Sequence, residues 1–203
     1  MPTYTEQGQE FSRDMNYIPD RITREPGRSQ DTWGGAELEA PTWPVEPGRY
    51  RLIAAAACPW ANRAIIVRKL LGLEDVISMG LAGPTHDVRS WTFDLDPGGV
   101  DPVLGYERLQ QAYFARYADY PRGITVPAIT EVASKAVVTN DFPWITHDFF
   151  FEWREHHRPD APDLWPDDVR DEMEEVMKRV FTEVNNGVYR CGFAGSQEAY
   201  DAA

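Results

Sequence analysis

The chain has 203 residues, of which 20 are Lys or Arg and 33 are Asp or Glu, so its formal net charge is -13 at pH 7. Binding to nucleic acid or to anionic lipid favours a basic field, which this charge opposes. Hydrophobic residues make up 42% of the chain and aromatic residues 12%, enough for a packed core. The length fits one domain, or one domain and part of another.

The first ten residues have neither the basic nor the apolar region of a secretory signal. The longest apolar run, residues 52–58, is far shorter than the roughly 20 residues needed to span a bilayer. Two cysteines, Cys58 and Cys191, do not make the disulfide framework of a secreted domain. We therefore expect a cytoplasmic protein with free cysteines and with neither a nucleic-acid nor a membrane partner.

Residues 1–47 are polar and rich in Pro and Gly, and no helix or strand period persists in them. They predict an extended N-terminal arm that precedes a domain over residues 48–158. Trp33 and Trp43 indicate that this arm packs against the protein, because two exposed indoles would be costly.

The domain begins with a β-α-β pattern. Residues 49–57 are apolar and bounded by turn residues, which predicts a buried strand. Pro59 then begins a helix that ends at Leu71, just before Gly72, because proline favours the first helical position and glycine the position after the end. Residues 76–81 predict the second strand.

Loop signals fill residues 82–122, and a short helix is predicted within them near residues 106–117. Residues 125–132 and 136–139 then predict two strands joined by a turn. A helix is expected over residues 143–156. The order of elements is therefore β-α-β, a long insertion and β-β-α.

Residues 159–163 are rich in Pro and Asp and predict a linker. The clearest helical pattern follows over residues 166–186, where apolar residues recur every three or four positions. Residues 196–203 begin a further helix. We therefore expect the start of a helical domain over residues 159–203.

Cys58 stands where a strand gives way to a helix, so the helix dipole and its orphan N–H groups point at the sulfur. Such cysteines have pKa values of roughly 3.5–7.5 because the thiolate is stabilised. Arg63, one turn into the helix, could add positive charge. Ala61 replaces the second cysteine of a C-x-x-C pair, and a lone thiolate suits a mixed disulfide with a small thiol. We favour a reactive role for Cys58 and a structural role for Cys191.

Val126 and Pro127 form the second informative pair. A cis proline at the start of a strand could turn a main-chain edge toward the thiolate, where a peptide-like ligand could pair with it. The histidines have no convincing metal spacing, so we expect no metal; they are His86, His147, His156 and His157.

Several segments resemble the glutathionyl-hydroquinone reductases, the Xi class of the glutathione transferase superfamily. The resemblance runs from about Arg49 to Tyr200. Its most specific segments are residues 58–63, 90–93, 125–127, 185–189 and 192–200.

This resemblance implies an α/β thioredoxin-like N-terminal domain with a mixed sheet, followed by the start of an all-α glutathione-transferase domain. The helical domain of the family continues beyond the last residue of this sequence, so a C-terminally truncated chain is expected. The full family form is a homodimer. Without the missing helices, the helix over residues 166–186 would expose an apolar stripe.

The resemblance also implies the chemistry. Cys58 would attack the sulfur of a glutathionyl-hydroquinone and release the hydroquinone, and a second glutathione would then reduce the mixed disulfide. Trp91 would pack against the thiol ligand or the aromatic ring, and Val126 would pair with the cysteinyl backbone of the ligand beside a cis Pro127. Tyr189 would face the phenolic oxygen. The other implied thiol-binding residues are Pro59, Trp60, Arg63, Asn140 and Asp141.

One departure concerns the co-substrate. The family usually has Asn-Glu-Ser where this chain has Asn140, Asp141 and Phe142. Asp141 keeps a carboxylate on a shorter arm, whereas Phe142 removes a hydroxyl, and losing a buried polar partner weakens binding. The co-substrate is therefore glutathione or mycothiol, which has no γ-glutamyl group.

Two alternatives remain open. A glutaredoxin-like thioltransferase would use the same cysteine on protein or small-molecule disulfides. A non-catalytic module would keep the thioredoxin fold only for binding.

Overall fold

The computed structural model describes residues 11–25, 40–84, 87 and 89–203. The predictions for Trp33, for His86 and for the parts of the arm at residues 1–10 and 26–39 lie outside the described residues. The chain forms two compact units. The first, residues 16–162, is called the sheet unit; the second, called the helical unit, joins the described residues up to Met15 with Asp163–Ala203.

A four-stranded mixed sheet forms the centre of the sheet unit, with the strand order β4-β3-β5-β6. Strand β3 (Tyr50–Ala55) pairs in parallel with β4 (Ile77–Ala82) and antiparallel with β5 (Ala128–Glu131), and β5 pairs antiparallel with β6 (Val137–Thr139). All residues of β3 are buried. The apolar run, rich in alanine, is therefore an inner strand, as its pattern predicts.

Helix α1 (Pro59–Leu71) connects β3 to β4 and completes the predicted β-α-β unit. Proline occupies its first turn, and its end is closed by Gly72 with a φ of 75°, where the backbone N–H donates to the carbonyls of Arg68 and Lys69. That left-handed conformation favours glycine, which explains why the helix ends there.

Two further helices flank the sheet. Helix α2 (Gln110–Arg116) follows a short 3-10 turn at Pro97–Gly99, and α3 (Phe142–Phe151) packs beside α1. The predicted helix over residues 143–156 is therefore shorter, because after α3 the chain forms a 3-10 turn at Arg154–His156. The fully buried aromatic side chains of the core are Tyr50, Phe93, Tyr113, Phe149 and Trp153.

The N-terminal arm contains regular structure that the sequence pattern does not reveal. Strands β1 (Arg21–Thr23) and β2 (Thr42–Pro44) form a parallel pair. Each has only three residues, too few for a hydrophobic period to show. The described residues of the arm from Asn16 onward belong to the sheet unit. There the indole N–H of Trp43 donates to the carboxylate of Asp20 at 2.8 Å.

Within the sheet unit, ion pairs join the arm residues Asp20 and Arg21 to helices α2 and α3. The guanidinium of Arg21 binds the carboxylate of Asp148 on α3, and the two side chains are 3% and 6% exposed. Asp20 accepts from Arg116 of α2 at 2.6 Å. A buried charge is strongly destabilising when its partner is removed, so these pairs resist separation of the arm.

The helical unit begins with a 3-10 turn at Asp167–Val169, followed by helix α4 (Arg170–Val180) and a π-helical turn at Phe181–Asn185. Helices α5 (Gly187–Gly192) and α6 (Gln197–Asp201) complete it. The helical residues run without a gap from Asp167 to Asn185, close to the predicted helix over residues 166–186, although only Arg170–Val180 is α-helical.

The helical run ends at Asn185, Asn186 and Gly187, which have low helix propensity. The expected apolar stripe is exposed, and its most exposed members are Val169, Val176, Val180 and Val184. Among the described residues, no helix is both long and apolar enough to cross a bilayer.

We expect Asp148→Ala to lower the free energy of unfolding by about 3–5 kcal/mol, because it leaves the buried guanidinium of Arg21 without its counter-charge. Chemical denaturation would measure this. The matched control is Asp160→Ala, which removes an exposed ion pair with Arg158 in the same unit and should cost less than about 1 kcal/mol. Equal losses in the two variants would contradict the prediction.

Candidate thiol site

Cys58 is the N-cap residue of the 13-residue helix α1, directly after the turn that leaves β3. Its thiol is half-buried and donates to the carbonyl oxygen of Val126, with Sγ 3.4 Å from that oxygen. The Val126–Pro127 peptide bond is cis. The structure therefore brings the cysteine and the Val126–Pro127 pair into one place.

The position of Cys58 favours its thiolate. The first turn of an α-helix presents N–H groups without helical acceptors, and the helix dipole adds partial positive charge there. Asn62 is the first residue whose N–H donates within the helix, to the Cys58 carbonyl at 2.9 Å. Arg63 follows, and burial lowers the pKa of its guanidinium. That group still remains charged because arginine titrates far above neutral pH.

Pro59 is exposed, whereas Trp60 faces the interior. The Trp60 ring lies 4.3 Å from the ring of Phe142, measured between centroids, and Phe142 also meets the ring of Tyr17 edge-on at 5.6 Å. Phe142, which replaces the hydroxyl residue expected from the resemblance, is therefore a packing residue between α1 and the arm.

Asn140 is buried and bound to the protein itself. Its side-chain oxygen accepts from the backbone N–H of Ile18 at 2.8 Å, and its amide nitrogen donates to the Thr125 hydroxyl at 2.8 Å. The Thr125 carbonyl in turn accepts from the Tyr113 hydroxyl at 2.9 Å. These bonds fix the backbone that leads into Val126, a role that the sequence pattern does not reveal.

Asp141 is the N-cap residue of α3. Burial raises the pKa of its carboxyl to about 6, although a backbone hydrogen bond from Trp144 and the cation of Arg21 lower it in part. When a carboxylate is held partly out of water, a bound cation stabilises its ionised form. A cation beside Asp141 would therefore favour the ionised form of its carboxyl.

Trp91 and Tyr189 lie in different units. Trp91 is half-buried in the sheet unit, and its carbonyl accepts from Leu109 N–H at 3.0 Å. Tyr189 belongs to α5 of the helical unit, where its ring stacks with those of Phe11 and Phe193. Within the described part of the chain, no group of three or more potential metal ligands occurs.

Similar proteins include a curated glutathionyl-hydroquinone reductase, PcpF from Sphingobium chlorophenolicum, which is 36% identical over 162 residues, or 78% of this chain and 50% of that relative. A solved glutathione transferase from Gordonia bronchialis DSM 43247 is 69% identical, with a TM-score of 0.77, over 79% of this chain and 50% of that one. The glutathione-bound structure of YqjG, a glutathione transferase homologue from Escherichia coli K-12, is 32% identical, with a TM-score of 0.76, over 90% and 57%. No family model matches the chain.

The architecture is that of a glutathione transferase, with the predicted thioredoxin-like sheet and helices followed by a helical segment. Within that superfamily, the comparisons confirm the resemblance to the Xi class and to its glutathionyl-hydroquinone reductases. The chain spans about half the length of the curated relatives that it matches.

The raised pKa of Asp141 predicts a pH-dependent stability. Ionisation of this carboxyl disfavours the folded state, so its contribution is fully present below about pH 4 and is lost as the pH rises through about 6. As the pH rises between those values, we expect the free energy of unfolding of Asp141→Asn to increase relative to that of the native chain by on the order of 1–3 kcal/mol. Urea denaturation at both pH values would measure the gap, and a gap independent of pH would contradict the prediction.

Proposed function

We propose that this chain carries the thiol site of a cysteine-dependent glutathionyl-hydroquinone reductase. The carrying observation is Cys58 itself, a lone cysteine at a helix N-terminus, with its sulfur 3.4 Å from the carbonyl of Val126 beside a cis proline. The relatives named glutathionyl-hydroquinone reductase support the choice of reaction. A homodimer and a cytoplasmic location belong to the same proposal.

In the proposed reaction, the Cys58 thiolate attacks the sulfur of a glutathionyl-hydroquinone. A disulfide bond forms between Cys58 and glutathione as the carbon–sulfur bond breaks. The electron pair of that bond passes to the ring carbon, which takes up a proton to give the free hydroquinone. The thiolate of a second glutathione then attacks the bound glutathione sulfur, which releases glutathione disulfide and restores Cys58. The substrate is reduced by two electrons, and two glutathione sulfurs are oxidised.

The proposed ligand contacts start from the backbone at Val126, which would pair with the cysteinyl unit of the thiol. Asp141 would bind the ammonium of the γ-glutamyl end. Arg63 would add positive charge near the sulfur, and Trp91 would pack against the ligand. Tyr189 would bind the phenolic oxygen of the conjugate. The other proposed members of the site are Pro59, Trp60, Pro127 and Asn140.

Glutathione is the proposed co-substrate because Asp141 offers a carboxylate to its amine. Mycothiol is the second candidate, favoured by one observation: the buried ring of Phe142 stands where a hydroxyl would hold the γ-glutamyl group. Much faster turnover with glutathione than with mycothiol would exclude the second candidate.

A glutaredoxin-like thioltransferase is the alternative activity at the same cysteine, since Ala61 stands where a C-x-x-C motif has its second cysteine. A substrate panel separates the two: glutathionyl-hydroquinones against hydroxyethyl disulfide. A chain that turns over neither substrate would be the non-catalytic module.

Exposure to a glutathionyl-hydroquinone should raise the intact mass of the protein by one glutathione less two hydrogen atoms, with release of one hydroquinone. Cys58→Ser should abolish both the adduct and turnover, because the serine hydroxyl does not replace the proposed thiolate nucleophile. Cys191→Ser is the matched control and should retain both. An adduct that persists in Cys58→Ser would refute the assignment of the nucleophile.

Affinity for the glutathione amine should follow the ionisation of Asp141. The dissociation constant of S-methylglutathione, whose blocked thiol does not titrate, should fall as the pH rises through about 6, because the carboxylate then carries its charge. In Asp141→Asn, the dissociation constant should be roughly tenfold higher at pH 7 and nearly independent of pH, since a charged hydrogen bond is lost. Titration calorimetry from pH 5 to pH 8 would measure both proteins. A pH profile that the substitution leaves unchanged would contradict the role of Asp141.

A further inference from the structure

A guanidinium covers the ring of Tyr189 within the helical unit. The central carbon of the Arg13 guanidinium lies 4.3 Å from the centroid of the Tyr189 ring. The Nε of Arg13 donates to the side-chain oxygen of Asn186 at 2.7 Å. Arg13 therefore contacts two residues of the segment 185–189, although it is more than 170 positions away in the sequence.

A planar cation is needed to stack on the Tyr189 ring and to donate to Asn186 at the same time. Asn186 and Tyr189 are three residues apart on one helical turn, so their side chains are neighbours; the backbone also links them, since Tyr189 N–H donates to the Asn186 carbonyl at 3.1 Å. A planar guanidinium can stack on a ring with its face while it donates hydrogen bonds from its edge. The ammonium of lysine cannot do both.

Aromatic rings enclose Tyr189 further. The ring of Phe11 lies 5.6 Å from that of Tyr189 with an angle of 23° between the planes, and Phe193 lies 6.0 Å away at 29°. Phe11 is buried and comes from the same N-terminal segment as Arg13. Two near-parallel rings and one guanidinium thus restrict rotation of the tyrosine ring, and they set the direction of its hydroxyl.

We propose that Arg13 is a positioning residue, which fixes the Tyr189 hydroxyl for the phenolic oxygen of an aromatic thioether substrate. This inference rests on the proposed reductase function. It makes the N-terminal segment part of the specificity for aromatic conjugates, whereas exchange with a simple disulfide depends on Cys58 alone. Asn186 holds the guanidinium in place, which gives the second of the two asparagines in the segment 185–189 a physical role.

Steady-state kinetics of the full chain test the role of Arg13. We expect Arg13→Ala to lower kcat for a glutathionyl-hydroquinone roughly tenfold to a hundredfold more than it lowers turnover of hydroxyethyl disulfide, with little change in KM. Arg13→Lys should not rescue the loss. In a Tyr189→Phe background, Arg13→Ala should have no further effect. The exposed neighbour offers the control Ser12→Ala, which should behave as the native chain. Equal losses with both substrates, full rescue by lysine, or additive losses would overturn the proposal.

A second measurement does not depend on activity. In protein labelled with ¹³C-tyrosine, the Tyr189 ring signal, assigned from Tyr189→Phe, should shift in both Arg13→Ala and Arg13→Lys but not in Ser12→Ala. If the native chain turned over no hydroquinone conjugate, the proposed function would fail. The Tyr189 signal would still show whether Arg13 packs on the tyrosine ring. A Tyr189 signal unchanged by Arg13→Ala would overturn the positioning role.

Discussion

The register of β3 against β5 is the constraint on which the thiol site depends. Ile53 pairs with Ala128 in an antiparallel register, so the end of β3 lies beside the start of β5. The chain leaves β3 through a tight turn, in which Cys58 N–H donates to the Ala55 carbonyl at 3.0 Å, and then enters α1. The residues just before β5 are Val126 and Pro127. A cysteine at the start of the helix must therefore meet that pair. A shift of the register by one residue would reverse the faces of β5 and lose the alignment.

The N-terminal arm supports the thiol site from the β6 edge of the sheet. Thr139 at the end of β6 donates its hydroxyl to the Ile18 carbonyl, and Asn140 accepts from the Ile18 N–H. Because Asn140 also binds Thr125, the arm is linked to the backbone that precedes Val126. The buried pair of Arg21 and Asp148 holds the same segment against α3. Residues that appear featureless in the sequence thus contribute to the geometry at Cys58, through hydrogen bonds and one desolvated charge pair.

Local sequence patterns predicted most helices and strands, whereas the features that these patterns missed depend mainly on long-range contacts. Pro59 and Gly72 predicted both ends of α1 correctly, because caps depend on adjacent residues. The apolar period of residues 166–186 predicted the extent of the helical run, which ends at Asn185, but not its change from an α-helix to a π-helical turn at Phe181. The hydrogen bond between Asn140 and Ile18 and the stack of Arg13 on Tyr189 each join positions more than 100 residues apart. The strands of the arm have only three residues each. Neither kind of feature leaves a periodic signal in the sequence. The resemblance named Asn140 as a ligand-binding residue, whereas its side chain also has a bridging task within the protein.

Two helix N-termini in the sheet unit are preceded by groups that can carry negative charge, and they differ in how that charge is stabilised. Cys58 precedes a long helix, and its thiol donates to the carbonyl of Val126, whereas the dipole of such a helix favours an anion at its N-terminus. Asp141 precedes α3, but burial holds its pKa up at about 6, so near neutral pH the carboxylate is ionised at a cost in desolvation. In the proposed function, a thiol that carries an ammonium group offsets this cost, whereas a thiol without one leaves it in place. Discrimination between thiols would then come mainly from the penalty of leaving the poorly solvated carboxylate unpaired, and less from added attraction. A site built around a buried polar group rejects ligands without the matching partner in the same way.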